Sequence, residues 1–290
     1  MHPAKSIILF TASSGLGFGL LVFLCMGFPD VTGWVAFVFF AIAFALAGGG
    51  LVSSTFHLGH PERALKAFSQ WRTSWLSREG WLACATLGTA GLYAALLIFT
   101  GIRVLPLGWL AALLCIATVY ATSMIYAQLK TVPRWNHWTT SALFMALALT
   151  GGALLSGAVM LAMPMLAICF TLQFYTWKLG DTLLAESGTT IASATGLGGI
   201  GTVRAFEPPH TGGNYLTKEM FFVIARKHAL KLRSIGLALA FVAPFLLLLL
   251  PFAHIFALIA ILAHVAGLLV LRWLFFAEAE HVVSLYYGRS

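Results

Sequence analysis

The chain has 290 residues, 60% of them hydrophobic and 9% charged, with a mean hydropathy of +0.92 and a formal net charge of +8. That composition excludes a soluble globular domain and points to an all-α, polytopic membrane protein built as one transmembrane domain over 1–290. The basic excess lies between apolar runs, as membrane insertion predicts, so it does not argue for a nucleic-acid partner.

In chain order, residues 7–26 form the first expected span, since about twenty apolar residues cross the hydrocarbon core. The flank Met1-His2-Pro3-Ala4-Lys5 offers no cleavage site, so a retained helix is expected and not a signal peptide. A turn at Phe28-Pro29-Asp30 leads into the second span, 31–56. Its Gly48-Gly49-Gly50 run either admits a neighbouring helix closely or leaves room for a flat ligand, with packing the expected use. Cys25, Cys84, Cys115 and Cys169 fall in four different apolar runs without CxxC spacing. They read as small buried hydrophobes, and no metal or cluster site is expected from them.

The stretch from His57 to Glu79, HLGHPERALKAFSQWRTSWLSRE, is the densest polar segment between two apolar runs, with two histidines, two glutamates, three arginines and a lysine. It is either an ordinary positively charged connector or a functional segment, because ionisable groups at a membrane boundary are costly to desolvate. Ser53 and Ser54 precede His57 by one helical turn, where a hydroxyl can hold the imidazole in one tautomer. Gly59 and Pro61 stop that helix. Residues 61–71 suit an amphipathic helix, with Ala64, Leu65 and Phe68 on one side and Glu62, Arg63 and Lys66 toward water. Ser77 is placed to cap a helix starting at Glu79 or Gly80, and Trp75 belongs to the interfacial aromatic belt. His57 and Glu79 thus meet the same membrane face, one leaving the bilayer and the other entering it.

The third and fourth spans are 80–100 and 104–129, followed by a polar loop at 130–137. Tyr126 and Lys130, four apart, are either a quinol-side or partner-side pair or an interfacial tyrosine with a snorkelling lysine. The fifth and sixth spans are 138–160 and 163–178, with Pro164 in the link. Residues 179–233 read as a long polar loop, serving either as a docking surface or as a solvated linker. Its Gly196-x-Gly198-Gly199-x-Gly201 is not a dinucleotide fingerprint, since no strand precedes it. The last spans are 234–251 and 252–276, nearly free of polar residues apart from His254 and His264. Eight spans put both termini and all of the seventeen Lys and Arg except Arg103 on one side, which the positive-inside rule assigns to the cytoplasm.

HLGHPERALKAF followed by SWLSRE, with Tyr126 and then Thr131-Val132-Pro133-x-Trp135 in the later loop, resembles the membrane-anchor subunits of the dimethyl sulfoxide reductase type, the DmsC family. The resemblance implies an eight-helix subunit of the bacterial inner membrane that oxidises menaquinol and passes electrons to an iron–sulfur subunit, with a molybdopterin catalytic subunit beyond it. It maps the quinol site onto His57 and Glu79, with Gly59, Arg63 and Ser77 around them. Molybdenum cofactor and clusters would then belong to the partners.

The chemistry suits those residues. Quinol oxidation releases two protons with two electrons, and a histidine and a partly buried carboxylate are the fitting acceptors. His57 is the candidate hydrogen-bond partner and first acceptor, and Glu79 the second acceptor or proton exit. Arg63 or Arg78 either holds Glu79 ionised or touches lipid headgroups. Haem is not expected, because only His264 lies deep in a span and a b-type haem needs two facing histidines. His264 is assigned to a hydrogen bond with a neighbouring helix. Two other functions remain: a passive anchor, which would tolerate loss of His57 and Glu79, and a secondary transporter, for which no inverted repeat is visible.

Overall fold

In the computed structural model, which describes residues 3–56, 60–204, 206–207, 224–251 and 254–287 without the side chains of 61–64, 224–227 and 286–287, the bundle is organised around its first helix. This helix, α1 (Lys5–Cys25), packs against α2 (Gly33–Thr55), α4 (Leu105–Ala127) and α5 (Trp138–Leu155). Of its apolar window 72% is buried, against 22% for α6 (Val159–Glu186) and 28% for the final helix, so α1 is the axis and those two face lipid. Hydrophobicity cannot make that choice, because lipid tails are as apolar as leucine and small residues decide which backbones meet. A Cβ on Gly19 would strike the Ala148 carbonyl of α5, and one on Gly152 would strike the Gly19 carbonyl in return. Of the Gly48-Gly49-Gly50 run, Gly50 abuts the Ser14 backbone while the other two face open space, so the packing use holds at one position.

Eight helical segments among the described residues are long and apolar enough to cross a membrane, and the chain is a multi-pass membrane protein. The third helix, α3 (Trp75–Thr100), pairs with α4. After the short α7 (Ile191–Thr195) come α8 (Ile224–Leu237), a π-helical turn (Ala238–Val242) and α9 (Ala243–Leu249), which together make the seventh span, and then α10 (His254–Ala277) as the eighth. Large apolar side chains such as Trp34, Phe99 and Met160 point outward, as a lipid-facing surface requires.

Several boundaries differ from the sequence-based expectation. A 3-10 helix, Pro61–Gln70, replaces the amphipathic α-helix, and Leu65 is exposed and not inward, while Phe68 packs edge-on against Trp81. The chain turns at Gln70, whose carbonyl accepts from the Thr73 and Ser74 amides, and α3 restarts at once from Trp75. Ser77 and Glu79 therefore lie inside the first turns of α3, and Ser77 caps nothing. The fifth span ends at Leu155, and Pro164 is inside α6, not between helices. Helix α6 runs eight residues past Lys178 because Asp181 is clasped by Arg134 and Arg233. The polar segment 179–233 is correspondingly shorter as a loop: its start belongs to α6, and its basic run from Arg226 to Arg233 belongs to α8. Residues 208–223 of it, including Pro208-Pro209-His210, lie outside the described residues. Of the cysteines, Cys25, Cys115 and Cys169 are buried as expected, but Cys84 is exposed on the outer side of α3.

The π-helical turn has a local cause. Pro244 has no N–H to give to the carbonyl of Ala240, four residues earlier, and His264 Nδ1 of α10 donates to that carbonyl instead at 2.7 Å. The expected interhelical role of His264 is the role it has.

Candidate functional site

Glu79 enters the bundle on the face of α3 that meets α4. Ala83, Thr86 and Ala90 continue its buried stripe at three- and four-residue spacing, and Thr118 and Thr122 answer from α4. The small side chains let the helices close on the carboxyl group, leaving Glu79 3% exposed. Thr122 Oγ1 donates to Glu79 Oε1 at 2.5 Å, and a second buried hydroxyl pair, Thr86 with Thr118 at 2.8 Å, follows on the same interface. No arginine or lysine pairs with Glu79 among the described residues. Arg78, one candidate for holding it ionised, turns the other way: Nε and Nη2 donate to the carbonyls of Trp71 and Arg72, and the guanidinium lies 4.4 Å over the Trp75 ring.

Of the other candidate residues, Ser77 is 1% exposed and its hydroxyl has no hydrogen-bond partner among the described residues. Two positions before Glu79, it projects from a different side of α3. His57 and Gly59 lie outside the described residues, as does the side chain of Arg63. The hydroxyls expected to hold His57 are engaged elsewhere as donors, Ser53 to the Ser6 carbonyl at 3.0 Å and Ser54 to the Leu51 carbonyl at 2.7 Å.

Tyr126 is not an interfacial tyrosine. Lys130 lies beyond the end of α4, and Tyr126 is buried in an aromatic block with Trp135, Phe144, Phe275 and Phe276, at ring-centre distances of 5.3, 5.7, 5.4 and 5.5 Å. Trp135 is fixed there by its indole N–H, which donates to the Phe275 carbonyl at 3.0 Å. Thr122 and Arg272 carry no motif: the first is one hydroxyl among many, and the second counts among the loop cations in a tally along the chain although α10 contains it.

A wide recess of about 520 Å³ opens beside this interface, lined by Trp71, Trp75, Arg78, Trp81 and Leu82. Trp75 and Leu82 flank Glu79 at four and three residues along α3, so recess and carboxyl group share one helix. Among the described residues, no group of three or more His, Cys, Asp or Glu side chains could hold a metal ion.

The family model for the DMSO reductase anchor subunit, DmsC, matches residues 1–288. The chain belongs to the DmsC anchor family. The C subunit of a sulfite dehydrogenase from Allochromatium vinosum is 30% identical over 99% of both proteins. The C chain of an anaerobic dimethyl sulfoxide reductase from Haemophilus influenzae is 32% identical over 41% of this protein and 44% of its own length. No solved structure matches. As a DmsC-family member the protein is the membrane-anchor subunit of an oxidoreductase complex, which implies catalytic and electron-transfer partners. The loop residues that carry the resemblance and the buried carboxyl group of α3 thus occur in one family member.

Proposed function

We infer that this DmsC-family subunit exchanges electrons and protons with menaquinol at the face where α3 begins, with His57 and Glu79 as the proton-handling pair and Gly59, Arg63 and Ser77 nearby. The observation that carries this reading is Glu79 itself: a carboxyl group sunk in a membrane helix, without a cation opposite it among the described residues, held by one hydroxyl. Structural carboxylates at that depth are paired with cations, whereas a proton carrier has to be stable in both protonation states. The tryptophan-lined recess offers an aromatic surface for a quinol ring within one turn of Glu79.

In the oxidising direction the quinol gives one proton to His57 and one to Glu79, and its two electrons pass to an iron–sulfur subunit and on to a molybdopterin catalytic subunit. The complex sits in the bacterial inner membrane with both termini of this subunit in the cytoplasm. The full-length likeness to a sulfite dehydrogenase subunit favours a second direction, in which the partner supplies electrons and the same residues return protons to quinone. Microscopic reversibility lets one site serve both.

The test is the assembled complex with Glu79→Gln, and separately with His57→Ala. Each variant should lower quinol- or quinone-linked turnover by roughly 10²-fold, the contribution of a positioned acid or base, while electron flow from an artificial donor that bypasses the membrane subunit stays unchanged. Normal quinone-linked rates in both variants would move the site elsewhere and favour the passive anchor. Comparing reduced with oxidised quinone as the substrate separates the two directions.

A further inference from the structure

Arg272 lies inside α10, five residues before the end of the helix at Ala277, and is 3% exposed. Its guanidinium stands 3.7 Å over the Phe144 ring, and its Nε has no hydrogen-bond partner among the described residues. No carboxylate among them pairs with it. The charges close by are satisfied among themselves: Arg134 approaches Asp181 at 2.6 Å and Glu278 at 3.6 Å, and Arg233 lies 2.7 Å from each. That set of two cations and two anions is neutral among itself, so none of its carboxylates is left over for Arg272. A buried charge without a counter-ion is strongly disfavoured, and more so within the bilayer.

The guanidinium borders a cavity of about 30 Å³, shared with Arg134, Thr140, Gln173, Trp177, Phe275 and Glu278. Room of that size holds about two waters, which suits one compact oxyanion and is too little for a quinone ring. The Thr140 hydroxyl already donates to the Trp135 carbonyl at 2.8 Å, and Arg134 is spent on its two carboxylates. The Thr176 hydroxyl donates to the Leu172 carbonyl at 2.8 Å, so the lining side chains whose donors are not already engaged are Arg272, Gln173, itself 5% exposed, and the Trp177 indole. We propose that this cavity binds a phosphate-type oxyanion on Arg272 and Gln173, at the membrane face where the basic residues collect. Basic pockets between transmembrane helices take lipid phosphates on that side, and free phosphate offers the same chemistry. The site lies between α5, α6 and α10, does not include Glu79, and does not depend on the quinol reading.

The complex, purified in detergent and washed, is examined by native mass spectrometry for retained phospholipid. Its unfolding temperature is followed during titration with inorganic phosphate against chloride of equal ionic strength. If the source is lipid, the wild type retains about one anionic phospholipid per chain, Arg272→Gln loses it, and Arg272→Lys keeps part of it. If the source is free phosphate, no lipid is retained, and the wild type shows a phosphate-dependent rise in unfolding temperature that Arg272→Gln lacks. Should Arg272→Gln fail to assemble, Gln173→Leu removes the second donor while leaving the charge, and it should lose most of either signal. A wild type with neither retained lipid nor a phosphate response, or assembled variants equal to wild type in both, overturns the site.

Discussion

Thr122 has one proton and two acceptors within reach, Glu79 Oε1 at 2.5 Å and the Thr118 carbonyl at 3.0 Å. When Glu79 is ionised, the hydroxyl donates to the carboxylate. When Glu79 carries a proton, the hydroxyl turns to the carbonyl and accepts from the acid. One side chain thereby satisfies both states of a buried carboxyl group, which a fixed cation would not do. Thr122→Val keeps the volume and removes this exchange. It should lower quinone-linked turnover roughly tenfold with an altered pH profile, because general acid–base contributions are of that order or larger, while Thr122→Ser stays near wild type. Steady-state rates across pH decide it, and a Thr122→Val complex with an unchanged rate and profile would reduce Thr122 to a filler. Glu79 was legible in the sequence as an acid at the head of an apolar run. Thr122, 43 residues further on, was not, because nothing local marks which hydroxyl of α4 faces it.

At the scale of elements, the seventh and eighth spans show how a lost backbone hydrogen bond is made good across helices. Pro244 leaves the Ala240 carbonyl without its helical donor, the backbone widens into the π-helical turn, and His264 supplies the donor from α10. His264→Ala should therefore destabilise the subunit by about 1–3 kcal/mol, the cost of leaving a buried acceptor unsatisfied, without lowering quinone-linked turnover in complexes that assemble. Thermal unfolding and turnover on the same preparation separate these effects. A selective loss of turnover with unchanged stability would give His264 a role in the chemistry. The proline and the histidine were each visible in the sequence. Their pairing was not, because it joins residues 24 apart through a carbonyl that every residue possesses.

For the whole molecule, charge and geometry agree on one polar face. Glu79, Asp181, Arg134, Arg233 and Glu278 all lie at the helix ends of that face, and at the opposite face Arg103 pairs with Asp30 at 2.6 Å. Single cysteines at Ser69 and Ile102, in a Cys84→Ala background because Cys84 is exposed, report its orientation. In intact cells an impermeant thiol reagent should modify the Ile102→Cys chain and leave Ser69→Cys unmodified until the membrane is opened. The reverse pattern would place the polar face outside.

The all-α class, the number of apolar spans and the one-sided distribution of charge followed from the sequence by itself. Crossing a bilayer depends on a local sum of apolar residues, and loop charge is likewise read along one dimension. The tertiary structure decided the rest: that α1 is the axis, that Ser77 sits within α3, that Glu79 faces Thr122, and that the side chain of Arg272 is buried in the bundle. In lipid, every face of a spanning helix is apolar enough to face outward. Which faces turn inward is settled by backbone approach at glycines such as Gly19 and by polar pairs between residues far apart in the chain, and neither leaves a local pattern.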